Sequence, residues 1–377
     1  METLSFQLTP KQILDLQNLE NRVVDLYGVL QRLPDQELQA IQKFARVSMI
    51  GASTRIENAL LTDLEVDWID TILSTDGHVS AFETHKQMIE NKLSKDRERS
   101  IEEVAGCRQM LLLIYQEAES LIPLKETDVR SLHYELLAPY KKGVHYTGKY
   151  KTQPNSVVQQ NWSTGESRVV FQTADAGPVT QAAMADLVQW YNGIYLQGAG
   201  TFAITSEFIF RFLAIHPFQD GNGRLGRGLF LLLLLQSKNK ALSTVAKYLA
   251  IDRYIEKYKL EYYFVLNRCS DGKFQQDPHS YKIHCFLDFM IKVLGESLEG
   301  VEEYRMKFRA LQKLSDTAIK VLNAFKEHPE VRLNTKIISE QTDLPIRTVA
   351  YALSTLLGNN LIQRYGQGAA TKYQLTF

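Results

Sequence analysis

Along most of this chain apolar residues recur at spacings of three and four, the period of a helix with one buried face. Ile13, Leu16, Leu19, Val23, Leu26 and Leu30 form one such stripe. Thr9 can cap its start, Pro10 suits the first helical position, and Gln12 completes a T-x-x-Q capping box. Pro34-Asp35 ends that helix and opens a second. Further amphipathic helices are predicted near 62–74, 80–93, 98–119 and 127–138. The pattern resumes at Pro178, with helices expected near 199–215, 224–238, 254–268, 279–294 and 296–314. Between these groups, Ser156-Val157-Val158 and Arg168-Val169-Val170-Phe171 are β-prone runs around a turn-prone Ser163-Thr164-Gly165, which reads as one hairpin. The body of the fold is therefore expected to be mainly α.

The segment 315–377 changes character. A helix near 316–327 precedes Asn334-Thr335, a helix to about Gln341, a turn at Asp343-Leu344-Pro345 and a helix to about Leu357. Short strands at 361–365 and 372–375 then flank Gly366-Gln367-Gly368. Helix, helix-turn-helix, hairpin is the order of a winged helix. A length of 377 residues fits two or three domains, and 45% apolar with 23% charged residues excludes global disorder. Lys plus Arg and Asp plus Glu both number 43, so no overall basic field draws the chain to nucleic acid or an anionic membrane. The longest apolar run, 229–235, is seven residues against the roughly 18 a membrane span needs. The opening Met1-Glu2-Thr3-Leu4 has neither a basic n-region nor an apolar h-region, and Cys107, Cys269 and Cys285 lack CxxC spacing. A cytoplasmic protein without a structural zinc site is expected.

Chemistry concentrates in His216-Pro217-Phe218-Gln219-Asp220-Gly221-Asn222-Gly223-Arg224-Leu225-Gly226-Arg227. Gly221 to Gly226 spell G-x-G-x-x-G, but a dinucleotide fingerprint needs a preceding strand and an acid about 20 residues on. Residues 208–215 continue a helical pattern and 240–246 hold no acid, so that reading fails. Pro217 keeps His216 out of the helical region, placing the imidazole at a helix-to-loop junction. Gly221 and Gly223 permit an anion-binding nest of backbone N–H groups. Arg224 and Arg227 share a face at the start of the next helix, where the dipole favours phosphate. Asp220 is placed to hold a divalent cation bridging phosphates. Each feature alone is commonly a turn, a packed histidine or a solvated arginine; together in twelve residues they describe a polyphosphate site with a base beside it.

The same segment resembles the Fic family, whose motif HPFx[DE]GNGRxxR it matches at every specified position. The resemblance extends over about 50–290, taking in His133-Tyr134-Glu135-Leu136-Leu137, a hairpin after Gly148-Lys149-Tyr150, and Tyr262-Tyr263. It implies a helical Fic-type bundle with a β-hairpin flap at about 155–172, and transfer of AMP from ATP to a Ser, Thr or Tyr hydroxyl of a target protein. His216 would be the general base, and Asp220 would bind Mg²⁺. Gly221, Asn222, Gly223, Arg224, Gly226 and Arg227 would bind the nucleotide phosphates. The flap would align an extended target segment as an added strand. Tyr258 and Tyr262 are candidate nucleoside contacts, although Tyr258 stands where many relatives carry Asn.

Upstream, Ser53-Thr54-Arg55-Ile56-Glu57-Asn58 fits the family's inhibitory pattern [ST]xxxE[GN]. Ser53, Glu57 and Asn58 are thus candidate inhibitory residues, with Glu57 expected to reach Arg227. The implied division is 1–110, an N-terminal helical region carrying the inhibitory helix; 111–294, the catalytic core; 295–314, a connecting helix; and 315–377, the winged-helix-like domain. Two other functions compete with transfer. One is hydrolysis of an AMP–protein bond, with Glu57 positioning water. The other is a nucleotide-sensing DNA-binding regulator. Only Arg347 is charged within 345–357, and 312–377 carries eight basic against five acidic residues, which ranks a protein partner above DNA. Self-modification and a homodimer are further partner expectations; a membrane is not.

Overall fold

The computed structural model describes residues 3–57, 59, 61–74, 98–160, 167–195, 200–326, 332–359, 361–368 and 371–375. The helix expected near 80–93, the turn at 163–165 and Asn58 lie outside the described residues.

Helices dominate. The first group comprises α1 (Pro10–Leu30), α2 (Asp35–Ile56), α3 (Asp63–Ser74), α4 (Glu98–Glu117) and α5 (Glu126–Leu137). Thr9 and Gln12 form the reciprocal capping box of α1. Gln12 is buried, and its amide also donates to Asp288 Oδ1 at 2.8 Å. Strands β1 (Ser156–Gln160) and β2 (Ser167–Gln172) pair antiparallel, with a register shift between Val157 and Val158. The second group comprises α6 (Pro178–Tyr195), α7 (Thr201–Ile215), α8 (Asn222–Leu235), α9 (Lys240–Val245), α10 (Ile251–Lys257), α11 (Lys259–Ser270) and α12 (His284–Gln312). α7 and α8 pack on each other at the centre, and every residue from 229 to 235 is buried. The leucine-rich run thus serves a helix enclosed on all sides. No helix among the described residues is long and apolar enough to cross a membrane.

Two expectations are corrected. The segments at 279–294 and 296–314 form one continuous helix, α12. Nothing there forces a break, since a glycine inside a helix costs only about 1 kcal/mol. At Gly300 a Cβ would lie 2.2 Å from the Tyr254 hydroxyl, so the glycine serves close packing instead. Conversely, the helix expected at 254–268 is two helices parted at Tyr258, whose φ of −111° and ψ of 31° are not helical.

One hydrophobic core runs from Leu16 to Tyr304 and draws on α1 through α12. Residues 110 and 111 lie inside α4, and 294 and 295 inside α12, so neither expected boundary separates cores. The physical reason is that α2 buries its apolar side against α4, α8, α10 and α12 and has no core of its own. A second, smaller core from Leu314 to Ile362 belongs to α13 (Asp316–Lys326), α14 (Thr335–Thr342), α15 (Ile346–Gly358) and the antiparallel pair β3 (Ile362–Tyr365) and β4 (Lys372–Leu375).

Candidate active site

α7 stops at Ile215, and His216 takes a left-handed conformation, φ 52° and ψ 59°, its N–H closing on Phe212 O. Pro217 bars the ordinary helical alternative. The chain then turns through Asp220 and Gly221, which has φ 78° and caps α8. The side chain of Asn222 closes this loop on itself: Oδ1 accepts from Phe218 N at 2.9 Å and Nδ2 donates to Phe218 O at 2.8 Å. Asn222 therefore shapes the nest, and both ends of its amide are engaged by the backbone. Gly226 packs against Phe212 and Leu213 of α7, so it serves helix contact and lies off the nest.

His133 on α5 underpins the loop. Its ring stacks on Phe218 with centroids 3.8 Å apart. Gly148 N donates to Nδ1 at 2.9 Å, which leaves the proton on Nε2, and Nε2 donates to Asp220 O at 2.9 Å. Burial pushes this imidazole down to about 4. His216 is half-buried, with Nδ1 3.4 Å from Leu213 O. Burial, and then the charge of Lys151, push it down to about 4 against the opposing pull of the Leu213 carbonyl, Glu57 and Asp220. Its ring is neutral at neutral pH, with Nε2 left as the basic atom.

The cations converge beyond it. Arg224 is buried, with Nη2 3.2 Å from Asp220 Oδ1 and Nη1 3.5 Å from Glu103. Arg227, also buried, meets four acceptors: Ser53 O at 2.8 Å, Glu57 Oε1 at 3.0 Å, Ser53 Oγ at 3.1 Å and Asp252 Oδ2 at 3.3 Å. Burial would lower Arg227, but Glu57 and Asp252 outweigh it and raise it. Asp252 is pushed up to about 6 by burial, with Arg227 opposing. Buried Nε and Nη1 of Arg224 and Nη1 of Arg227 make no hydrogen bond among the described residues. Guanidinium donors that lack a hydrogen bond, beside a backbone nest, suit phosphate oxygens.

Asp220 accepts from Gly221 N and from Arg224 through Oδ1, and from Arg99 Nη2 at 2.9 Å through Oδ2. Burial would raise it, and Arg224 with Arg99 hold it below the usual carboxylate range. A Mg²⁺ ion commonly takes one or two carboxylates and completes its shell with phosphate oxygens and water. One ionised carboxylate facing unmatched phosphate donors fits that donor set. The Arg99 pair, with side chains 38% and 36% exposed, is the kind that contributes about 0–1 kcal/mol and yields to a competing cation.

α2 brings the inhibitory candidates here. Arg55 grips Glu256 of α10 at 2.7 and 2.9 Å and fixes the end of the helix. Glu57 then caps α2 beside the nest, where a Cβ on Gly223 would lie 2.3 Å from its Oε1. The nucleoside candidates fare differently. Tyr262 is 2% exposed and packs on Phe289, so its ring face is not open to a base. The Tyr258 hydroxyl donates to Glu296 at 2.6 Å and Lys292 sits 3.4 Å over its ring, which commits it to α12. Tyr263, 37% exposed and 3.5 Å from Ile56 O, is the tyrosine at the site's edge.

The Fic/DOC family model matches residues 123–234, the stretch that contains this loop, α7 and all but the last residue of α8. The chain carries a Fic domain. Its fold is similar to a Fic family protein from Desulfovibrio desulfuricans G20, with TM-score 0.57 and 21% identity over 99% of this chain and 98% of that one. A Fic domain-containing signalling protein from Bacteroides thetaiotaomicron VPI-5482 aligns with TM-score 0.55 and 23% identity, over 77% of this chain and 96% of that one. Residues 134–508 of Fic-1 from C. elegans align with TM-score 0.51 and 16% identity, over 79% and 73%. These likenesses concern the fold. No curated protein sequence matches the chain. Around the Fic motif, Arg99, Lys151 and Asp252 escaped the sequence reading, because each reaches the loop from a distant element and carries no local spacing signal.

Proposed function

We propose that this chain transfers AMP from ATP to a Ser, Thr or Tyr hydroxyl of a target protein and that Glu57 restrains it. The observation that carries this reading is the meeting of a neutral imidazole, a backbone nest and two buried, partly unmatched guanidinium groups at one helix junction. The target oxygen bonds to the α-phosphorus as the bond from that phosphorus to the bridging oxygen breaks. Pyrophosphate leaves, and the hydroxyl proton passes to His216 Nε2. Phosphate charge arriving beside His216 raises its basicity toward the working pH. The nest N–H groups and Arg224 stabilise the growing charge on the leaving oxygens, and Arg227 holds the terminal phosphate. Asp220 would hold Mg²⁺, which when bound neutralises phosphate charge.

The Glu57 contact supports restraint, since its carboxylate rests on Gly223 and engages the guanidinium needed for the terminal phosphate. The same placement favours a second reading, in which Glu57 orients water to hydrolyse an AMP–protein bond. Incubating the full chain and Glu57→Gly with labelled ATP and Mg²⁺, followed by mass spectrometry, tests both. Transfer that rises in Glu57→Gly supports the first. Loss of AMP removal from a pre-modified target in that variant supports the second. For 315–377 we propose a winged-helix-like docking module for protein: α15 exposes Ile346 and Tyr351 by 59% and 77%, beside the single charge of Arg347.

A further inference from the structure

Lys151 is among the largest fully buried side chains of the described residues, although it ends in an ammonium. Its three protons have three acceptors: Asn155 Oδ1 at 2.8 Å, Thr173 Oγ1 at 2.9 Å and Ile215 O at 3.1 Å. Ile215 ends α7, so the ammonium sits on a helix C-terminus, where positive charge is favourable. The same segment grips the loop twice more. Lys151 N donates to Pro217 O at 2.8 Å, and Asn155 Nδ2 donates to Phe218 O at 2.7 Å. Asn155 and Thr173 flank the hairpin, immediately before β1 and after β2. Gln172, the last residue of β2, is tied independently to the loop after α11 through Gly272 O and Phe274 N.

We propose that Lys151 is a positioning residue for the transfer step, locking the base of the flap and the His216 end of α7 into one rigid frame. The proposal rests on the transfer reading above. A target strand added to the flap would otherwise be placed independently of the imidazole, and a misplacement on the order of 1 Å can cost about a hundredfold in rate. The ammonium has a second consequence. It sits on the carbonyl of Ile215, the residue before His216, and among Lys151, Glu57 and Asp220, whose charges act on the imidazole, only Lys151 disfavours the imidazolium. Lys151 itself is pushed down to about 8 by burial, with Asp175 opposing, so it is charged at neutral pH.

The test uses the full chain in three forms, native, Lys151→Met and Thr173→Val, each with and without Glu57→Gly. His216 is followed by NMR titration of labelled imidazoles, with His216→Gln giving the assignment. Lys151→Met keeps the length and removes charge and donors. His216 should then titrate on the order of half to one unit higher, and kcat for a protein target should fall by about tenfold or more while the KM for ATP stays within about twofold. Thr173→Val keeps the ammonium and should lower kcat with the His216 titration unmoved. An unchanged His216 titration in folded Lys151→Met would overturn the proposal, as would kcat and KM for ATP deteriorating together. A native kcat in Thr173→Val would overturn the flap link even if Lys151→Met failed to fold. If no form transfers nucleotide, the transfer reading falls, and the His216 titration by itself decides whether Lys151 acts on the base.

Discussion

On the proposed transfer reading, replacing Glu57 with glycine is expected to raise AMP transfer. Glu57 caps α2 and lies outside its hydrogen-bonded interior, so glycine there should leave the helix intact, and an unchanged far-UV circular dichroism spectrum would verify it. What changes is the environment of Arg227. In the native chain its Nη2 is 3.0 Å from Glu57 Oε1, with the guanidinium side chain 2% exposed and the carboxylate 32%. A hydrogen bond to a charged group contributes about 1.5–3 kcal/mol, and each 1.4 kcal/mol is about tenfold. On the transfer reading ATP binds the native chain with its phosphates displaced, and only when that carboxylate gives way can Arg227 hold the terminal phosphate in line for reaction, so turnover should rise by about 10- to 100-fold. Ser53 and Asp252 keep Arg227 pointed at the nest after the substitution, so the released group stays preorganised. The assay is initial-rate incorporation of labelled AMP, by self-modification and into candidate targets, with ATP affinity measured separately by calorimetry. The gain should appear in turnover, with affinity changing only a few-fold, and Arg227→Ala in the Glu57→Gly background should cancel it. If Glu57→Gly is no faster than the native chain while it binds ATP equally well, or if the gain survives loss of Arg227, the argument from this ion pair is wrong.

His216→Ala should abolish transfer with ATP affinity kept within a few-fold, because only proton removal is lost; retained turnover would refute the base assignment. Asp220→Ala should remove the Mg²⁺ dependence of ATP binding, read by calorimetry with and without the ion, together with activity. His133 supplies a pH prediction. Its folded value of about 4 lies below the unfolded value near 6.5, so its contribution is fully present above pH 6.5 and is lost as pH falls through 4. The size is on the order of 3 kcal/mol. Urea unfolding should show His133→Gln closing on the native stability between pH 7 and pH 4.5, and a constant gap would refute the assignment. Deleting 312–377 should leave self-modification largely intact and impair modification of a physiological target, since that segment has a core separate from the one beneath the site. Tight, sequence-selective DNA binding by the full chain at physiological salt would overturn the docking reading.

The sequence alone determined the features that depend on near neighbours in the chain. The helical body follows from the three-and-four spacing of apolar residues, as in α1 with its Thr9–Gln12 box. The turn from α7 to α8 follows from Pro217 and Gly221, whose effects on φ and ψ are local. The motif residues were legible for the same reason, being twelve consecutive positions. Tertiary structure decided which charges meet. Arg99, Asp252 and Lys151 reach the motif from α4, α10 and the segment before β1, and nothing in their own surroundings in sequence marks them as partners. It also decided that Tyr258 turns to Glu296 on α12 and that Tyr262 is buried, although the family resemblance offered both as nucleoside contacts. The difference is physical. Backbone preference and periodicity are set within a few residues, whereas the burial of Lys151 or the pairing of Arg227 with Glu57 exists only once one shared core has brought helices from both halves of the chain together.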